Sequence, residues 1–401
     1  MARLPDGERP PADGRLPPAA LEGLGARPFG VYVHVPYCAH VCGYCDFNTY
    51  VPGAGGTAGY VDAVRAELAL AREVLGDDVP PAETVFVGGG TPTLLAPGEL
   101  HAVLDAVREQ FGLAPGAEVT TEANPETVDP ATLAALREAG FTRISLGMQS
   151  AVGHVLEVLE RRHSPGRAVQ AARQAREAGF AHVSLDLIYG TPGEDAGDWQ
   201  RTLEAALDAA PDHVSAYSLI VEPGTRLAAR VRRGELPAPD DDVLAERYEA
   251  AETLLGGAGL QWYEIANWAR GDDDRCRHNL GYWSGADWWG AGPGAHSHVG
   301  GVRWWNVLRP QRWAALAGAG ASPAAGREEP GAEAAHLEHV MLAVRLRDGL
   351  ALDDLTPQGR DAARAAGADG LLAPGPLEAG RAVLTLRGRL LADRVTLALA
   401  A

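Results

Sequence analysis

Cysteine is scarce in this 401-residue chain: four occur, and three of them, Cys38, Cys42 and Cys45, fall within eight residues. A secreted protein held by disulfides would spread its cysteines along the sequence. The clustering excludes that class and points to a reducing compartment and a metal. Positive charge is also in deficit. With 35 Lys+Arg against 53 Asp+Glu, the formal charge is −18, which opposes non-specific association with nucleic acid or anionic lipid. No apolar run reaches the length of a transmembrane helix. The opening MARLPDGERPPADGRLPPAA has no signal-peptide pattern, and residues 1–27 are expected to be a disordered, Pro-rich leader that contributes no fold. A cytoplasmic protein without a nucleic-acid partner is the expectation.

What is present is a rhythm. Short β-rich runs at 29–35, 84–89, 118–123, 143–148, 182–188 and 213–219 alternate with Ala/Leu-rich amphipathic stretches such as 60–75, 97–111 and 165–178. Strands and helices in strict alternation predict an α/β fold with a parallel sheet and right-handed crossovers. The strands are near-continuously apolar, as when both faces of a sheet are covered. An open sheet and a complete or partial barrel are all compatible with that pattern. The chain length suggests one large and one smaller domain. The expected boundaries are 28–260 for the α/β unit and 261–310 for a closing segment rich in Trp, Gly, His and Asn. An Ala/Gly/Pro linker follows at 311–333, then a C-terminal domain at 334–401 with helices and a hairpin.

Unusual residues gather where the strands end. PYCAHVCGYC follows the first, GGGTPT the second, TEANPET the third, GMQS the fourth, DLIYGTPGE the fifth and LIVEPGT the sixth. One such cluster is an ordinary turn. Six in succession mark the face on which (β/α) barrels carry their active sites. The C-x3-C-x2-C spacing places three thiolates on one short loop. Iron–sulfur cubanes are normally held by four cysteines, so three would leave one iron open to a small ligand. Zinc completed by His40 or His34 is the competing metal site, but short zinc motifs supply their ligands in spaced pairs. The fourth cysteine, Cys276, lies far along the chain.

Together, YVHVPYC, GGGTPT, EANP, GMQS, Arg161 and DLIYGTPGE resemble the radical SAM superfamily, and within it the oxygen-independent coproporphyrinogen III oxidase-like subfamily. The resemblance covers roughly residues 29–300. It implies a partial (β/α)6 TIM-like barrel with a small C-terminal α/β, winged-helix-like domain. It implies a [4Fe–4S] cluster on Cys38, Cys42 and Cys45, whose open iron chelates S-adenosylmethionine (SAM), with the aromatic Tyr44 beside the last cysteine. Carried over by position, the SAM contacts are Tyr32, Gly89, Gly90, Thr91, Glu122, Gln149, Arg161 and Asp186. Arg161 could otherwise be a solvated helix residue paired with Glu157.

Two features divide the subfamily. Its dehydrogenases carry a further cysteine two residues after the third, where this chain has Phe47. The segment CRHNLGYW matches H-N-x-x-Y-W at His278, Asn279, Tyr282 and Trp283, resembling HemW-type heme chaperones. An imidazole is a standard axial ligand of heme iron, and aromatic rings suit a porphyrin face. His278 is the expected ligand, with His296 and His298 as rivals. The resemblance therefore implies heme as a third cofactor and apo-hemoproteins as partners, respiratory and membrane-bound ones among them; a homodimer is compatible with it. Coproporphyrinogen III dehydrogenase is the alternative function. No residue is assigned as catalytic.

Overall fold

The structure is a computed structural model that describes residues 4–53 and 55–401. Six parallel strands form its centre: β1 (Phe29–Val35), β2 (Ala82–Gly89), β3 (Leu113–Ala123), β4 (Arg143–Gln149), β5 (His182–Tyr189) and β6 (His213–Ser218). They lie side by side in sequence order, each joined to the next in parallel register. Helices Tyr60–Leu75, Pro97–Phe111, Pro130–Ala139, Arg167–Glu177 and Ala196–Asp208 make the crossovers. Their starts are encoded locally. Asp129 accepts the Thr132 N–H at 2.7 Å, and Asp195 and Asp198 form a reciprocal capping box. The apolar residues facing these helices, Val31, Val33, Val85, Val87, Ile144 and Leu185 among them, are fully buried.

The closing segment 261–310 adds further strands: β7 (Gln261–Glu264), β8 (Asn267–Ala269), β9 (Asp287–Ala291), β10 (His296–Val299) and β11 (Val302–Asn306). With β12 (Ala324–Glu328) they extend one sheet of order β12-β11-β10-β9-β1-β2-β3-β4-β5-β6-β8-β7. β9 pairs with β1 in parallel; the outer pairs are antiparallel. After β6 come two helices, Arg226–Arg232 and Asp241–Gly257. Pro237 and Pro239 fall in the break, where a missing N–H and a fixed φ end a helix.

Two expectations are corrected. The leader is part of the fold. Glu8 and Arg327 exchange backbone hydrogen bonds of 2.7 and 2.9 Å at the β12 edge, and Ser322 N–H donates to the Ala12 carbonyl at 2.9 Å. Ala20 is buried, with Leu16, Leu21 and Leu24 packed on the main core. Proline-rich chain can line a sheet edge, which asks little of its amides. The 311–333 segment is not a linker either. It holds helix Pro310–Gly318, whose Trp313 is 1% exposed, and then β12. Its Ala/Gly/Pro composition hid that single anchoring indole.

The C-terminal unit has its own core, including Val340, Val344, Leu355, Leu372, Val395 and Leu399. Helices Ala332–Ala343, Pro357–Ala368 and Ala392–Leu399 surround a short antiparallel pair, Leu350–Ala351 with Arg381–Ala382.

One buried carboxylate joins three parts of the fold. Glu67, on helix Tyr60–Leu75, accepts hydrogen bonds from the Gly292 N–H (2.8 Å), Asn306 Nδ2 (2.6 Å) and Trp313 Nε1 (2.6 Å). Burial outweighs these donors and pushes its carboxyl up to about 7. The folded chain therefore holds this proton where the unfolded chain has released it. Its contribution to stability is largest below the ordinary carboxylate pKa of about 4 and is lost as pH rises through the folded value. Glu67→Gln removes the titration. Thermal melts should show the native advantage over the variant shrinking between about pH 5 and pH 8; an advantage that grows over that interval would contradict the assignment.

Candidate cofactor site

The cysteine loop, 36–50, leaves β1 and returns beside it. Tyr50 N–H donates to the Pro36 carbonyl (2.7 Å) and Cys38 N–H to the Tyr50 carbonyl (3.0 Å). A side-chain relay fixes the loop from below. Tyr32 O–H donates to His34 Nδ1 (2.9 Å), and His34 Nε2–H donates to the Asn48 carbonyl (3.0 Å). Burial holds this imidazole neutral, pulled down to about 4. Asn48 in turn donates to the carbonyls of Pro293 (2.9 Å) and Leu308 (2.8 Å). Farther out, Gly43 N–H meets the Leu159 carbonyl, and Leu227 N–H meets the Gly43 carbonyl. Tyr44 packs into the apolar cluster around Leu159 and Leu227.

The three half-buried thiols face a cavity of about 800 Å³. Every residue that the sequence nominated for the cluster and SAM lines this same space: Tyr32, Tyr44, Gly89, Gly90, Thr91, Glu122, Gln149, Arg161 and Asp186. The GGGTPT turn crosses under the cysteine loop. Gly90 N–H donates to the Val35 carbonyl, Thr91 N–H to the Tyr37 carbonyl, and Thr91 Oγ1–H reaches Cys38 Sγ at 3.6 Å. Gly89 has φ +109°, and a Cβ there would sit 2.6 Å from the His34 ring. Both facts demand glycine.

Two carboxylates stand in the interior. Glu122 Oε2 accepts the Gly89 N–H at 2.8 Å. Burial, and then the charge of Asp186, push it up to about 8. Asp186 is also raised by burial, and Ser145 Oγ lies 2.9 Å from each of its oxygens. Arg161 is not a solvated helix residue. Its Nη2 donates to the Gly147 carbonyl at 3.0 Å, and its Nη1 approaches Cys42 Sγ at 3.9 Å. Gln149 follows a β4 irregularity and adopts φ 62°, a left-handed conformation costly for a residue with a Cβ.

Period-2 alternation along β3 and β4 puts further polar residues on this inner face, and motif matching alone missed them. Glu118 and Arg143 form a buried ion pair at 3.1 Å. Glu118 also accepts the backbone N–H groups of Arg277 and His278, both at 3.1 Å. It thereby anchors the start of helix Arg277–Ser284. Burial alone would raise this carboxyl, but Arg143 and those amides hold it below its ordinary value.

That helix carries the H-N-x-x-Y-W motif, and it lies beside Thr84 of β2 and Glu118 of β3, toward the end of the strands opposite the cysteine loop. His278, Asn279 and Tyr282 form the cavity floor. His278 is 3% exposed and stacks on Phe86. Its Nδ1 lies 2.7 Å from Thr84 Oγ1, and its Nε2 lies 2.8 Å from the Tyr282 hydroxyl. Both ring nitrogens are engaged, so in this arrangement the expected iron ligand has no lone pair to offer. Trp283 lies apart from the other three and faces a second cavity.

This geometry can be set beside known proteins. The family model described as the Radical SAM superfamily matches residues 32–206. A curated relative from Mycobacterium tuberculosis (strain H37Rv), named heme chaperone HemW, is 55% identical over 387 residues, spanning 95% of this chain and 98% of that protein. The chain belongs to the radical SAM superfamily, in its HemW group. The Bos taurus mitochondrial radical S-adenosyl methionine domain-containing protein 1 is 40% identical over 290 residues, 72% of this chain and 64% of that protein. The solved structure of coproporphyrinogen III oxidase (HemN) from Escherichia coli shares the fold. Its TM-score is 0.81 at 21% identity, over 97% of this chain and 94% of that one.

Superfamily membership implies a [4Fe–4S] cluster and SAM, and the residues present fit both. Burial raises the thiols of Cys38 and Cys45, the latter to about 12, so their thiolates need a cationic partner such as iron. Among the described residues, no three His, Cys, Asp or Glu side chains are grouped to hold a single metal ion. Around the cavity, Thr49 Oγ1, Thr120 Oγ1, Arg143 Nη1 and Arg161 Nε are buried without partners among the described residues. A ligand bearing an amine, a carboxylate and hydroxyls would satisfy such atoms.

The packing around Arg161 can be tested directly. A Cβ on Gly147 would fall 2.7 Å from Arg161 Nη2 and 2.8 Å from Gln149 Nε2. Gly147→Ala is expected to push these two flexible side-chain ends aside and weaken SAM binding to the cluster-loaded chain about tenfold, with little change in the denaturation midpoint. Unaltered SAM affinity would contradict the roles given to Arg161 and Gln149.

Proposed function

We propose that this chain is a cytoplasmic heme chaperone, binding heme together with a [4Fe–4S] cluster and SAM and delivering heme to apo-hemoproteins. The observation that carries this is end-to-end identity of 55% with a relative named heme chaperone HemW. The likeness to coproporphyrinogen III oxidase is one of fold alone. At the cavity mouth, the position where the dehydrogenases have a fourth cysteine is Phe47, 59% exposed. Among the described residues, no helix is long and apolar enough to cross a membrane. Acceptors in a membrane would therefore be met from its surface.

Cys38, Cys42 and Cys45 would hold the cluster, with Thr91 and Arg161 directed at two of the sulfurs. Bound there, the cluster supplies electrons and an open coordination position for SAM. Glu122 and Asp186 suit ribose hydroxyls or an amine, since each can accept and, with its raised proton affinity, donate. Arg161 suits a carboxylate, and Tyr32, Gly89, Gly90 and Gln149 complete the wall.

With the cluster reconstituted anaerobically, hemin titration is expected to give a stoichiometric complex that passes its heme to an apo-hemoprotein. Incubation of the same preparation with coproporphyrinogen III, SAM and a reductant should yield no decarboxylated product. Product formation without heme binding would refute the chaperone assignment.

A further inference from the structure

The second cavity, about 960 Å³, lies between the β9–β12 face and helix Ala332–Ala343. It meets the first along Tyr32, Phe47, Gly89 and Tyr282. The motif helix Arg277–Ser284 is thus a shared wall: His278 faces one cavity and Trp283 the other. The volume lies within the range of small-molecule and cofactor pockets.

Its lining follows from strand periodicity. His296 and His298 are two apart on β10 and share a face. Across the strand pairs, His296 lies opposite Trp305, and His298 lies opposite both Trp288 and Arg303. The rings pair at interplanar angles of 32° and 31°, His298 beside Trp288 at 5.1 Å and His296 beside Trp305 at 5.9 Å. One wall is therefore a row of paired rings, two indoles and two imidazoles. Arg303 binds Glu328 and Glu338 through its terminal nitrogens, while its Nε is buried with no partner.

The two imidazoles differ in preparation. His298 Nδ1 lies 2.8 Å from the Ala286 carbonyl, an acceptor only, so Nδ1 carries the proton and Nε2 keeps its lone pair. A ring N–H given to a backbone carbonyl is the arrangement that orients metal-ligating histidines. His298 is only 15% exposed at its side chain. His296 is exposed and, among the described residues, makes no ring hydrogen bond that would fix its tautomer.

From this geometry we infer that the heme cargo seats in the second cavity, across the outer edges of the Trp288 and Trp305 rings, with His298 Nε2 as iron ligand. The assignment rests on the heme-chaperone function above, but it moves the iron away from His278. It gives the final Trp of the motif a place beside the porphyrin, and it puts cargo next to the cluster cavity without occupying it.

Difference absorbance and electron paramagnetic resonance of the cluster-loaded full chain titrated with hemin test this. His298→Ala should lose the imidazole-ligated Soret position and heme signal and weaken binding at least about tenfold. In His298→Gly, added imidazole should restore the native spectrum. His278→Ala, or His278→Gln if the alanine variant does not fold, should keep it. Overturning results are a native spectrum in His298→Ala, or loss of ligation in a folded His278 variant or in His296→Ala instead. If the unaltered chain takes up no heme, the chaperone function itself fails, an outcome distinct from the other three.

Discussion

The relay from Tyr32 through His34 to the Asn48 carbonyl joins the first barrel strand to the loop that bears the thiols. Because Asn48 also binds the carbonyls of Pro293 and Leu308, the loop is tied to both the parallel core and the added antiparallel strands. Its position fixes what lies beneath it. The GGGTPT turn can pass under the loop only because Gly89 has no side chain to strike His34. That crossing aims the Gly89 N–H at Glu122, which shares the interior with Asp186. Neither carboxylate has enough partners to be comfortable when charged and buried. A molecule with an amine and hydroxyls is the natural complement.

Much of this was legible without coordinates. The strand–helix alternation implied a parallel core, and the runs after each strand implied one functional end; all the nominated cluster and SAM residues do meet there. The failures have physical causes. Composition marked the leader and the 311–333 segment as unstructured. Composition averages over residues, whereas one buried Trp313 and a few edge hydrogen bonds decide whether such segments dock. The buried pair Glu118–Arg143 and the bridging Glu67 were invisible because each depends on a partner brought near only by the tertiary fold. The H-N-x-x-Y-W match gave no sign that both ring nitrogens of His278 would be engaged by Thr84 and Tyr282, because Thr84 is brought near only by the tertiary fold.

The fold presents two adjoining cavities of different chemistry. Its inner cavity has thiols, paired carboxylates and unpartnered polar atoms, suited to a charged, hydroxyl-rich ligand. The outer one has indoles and imidazoles, suited to a flat apolar ligand with a metal centre. The helix anchored by Glu118 divides them, and Tyr282 touches both.

The central claim is that the three thiols of this loop, and no other protein group, hold an iron–sulfur cubane with one iron left for SAM. Metal and sulfide analysis of the anaerobically reconstituted chain, with spectra recorded before and after adding SAM, tests it most directly. The account predicts about four irons and four sulfides per chain, a reduced-cluster signal perturbed by SAM, and loss of the cluster in a folded Cys42→Ala variant. A single bound zinc, or a cluster indifferent to both SAM and Cys42, would contradict it.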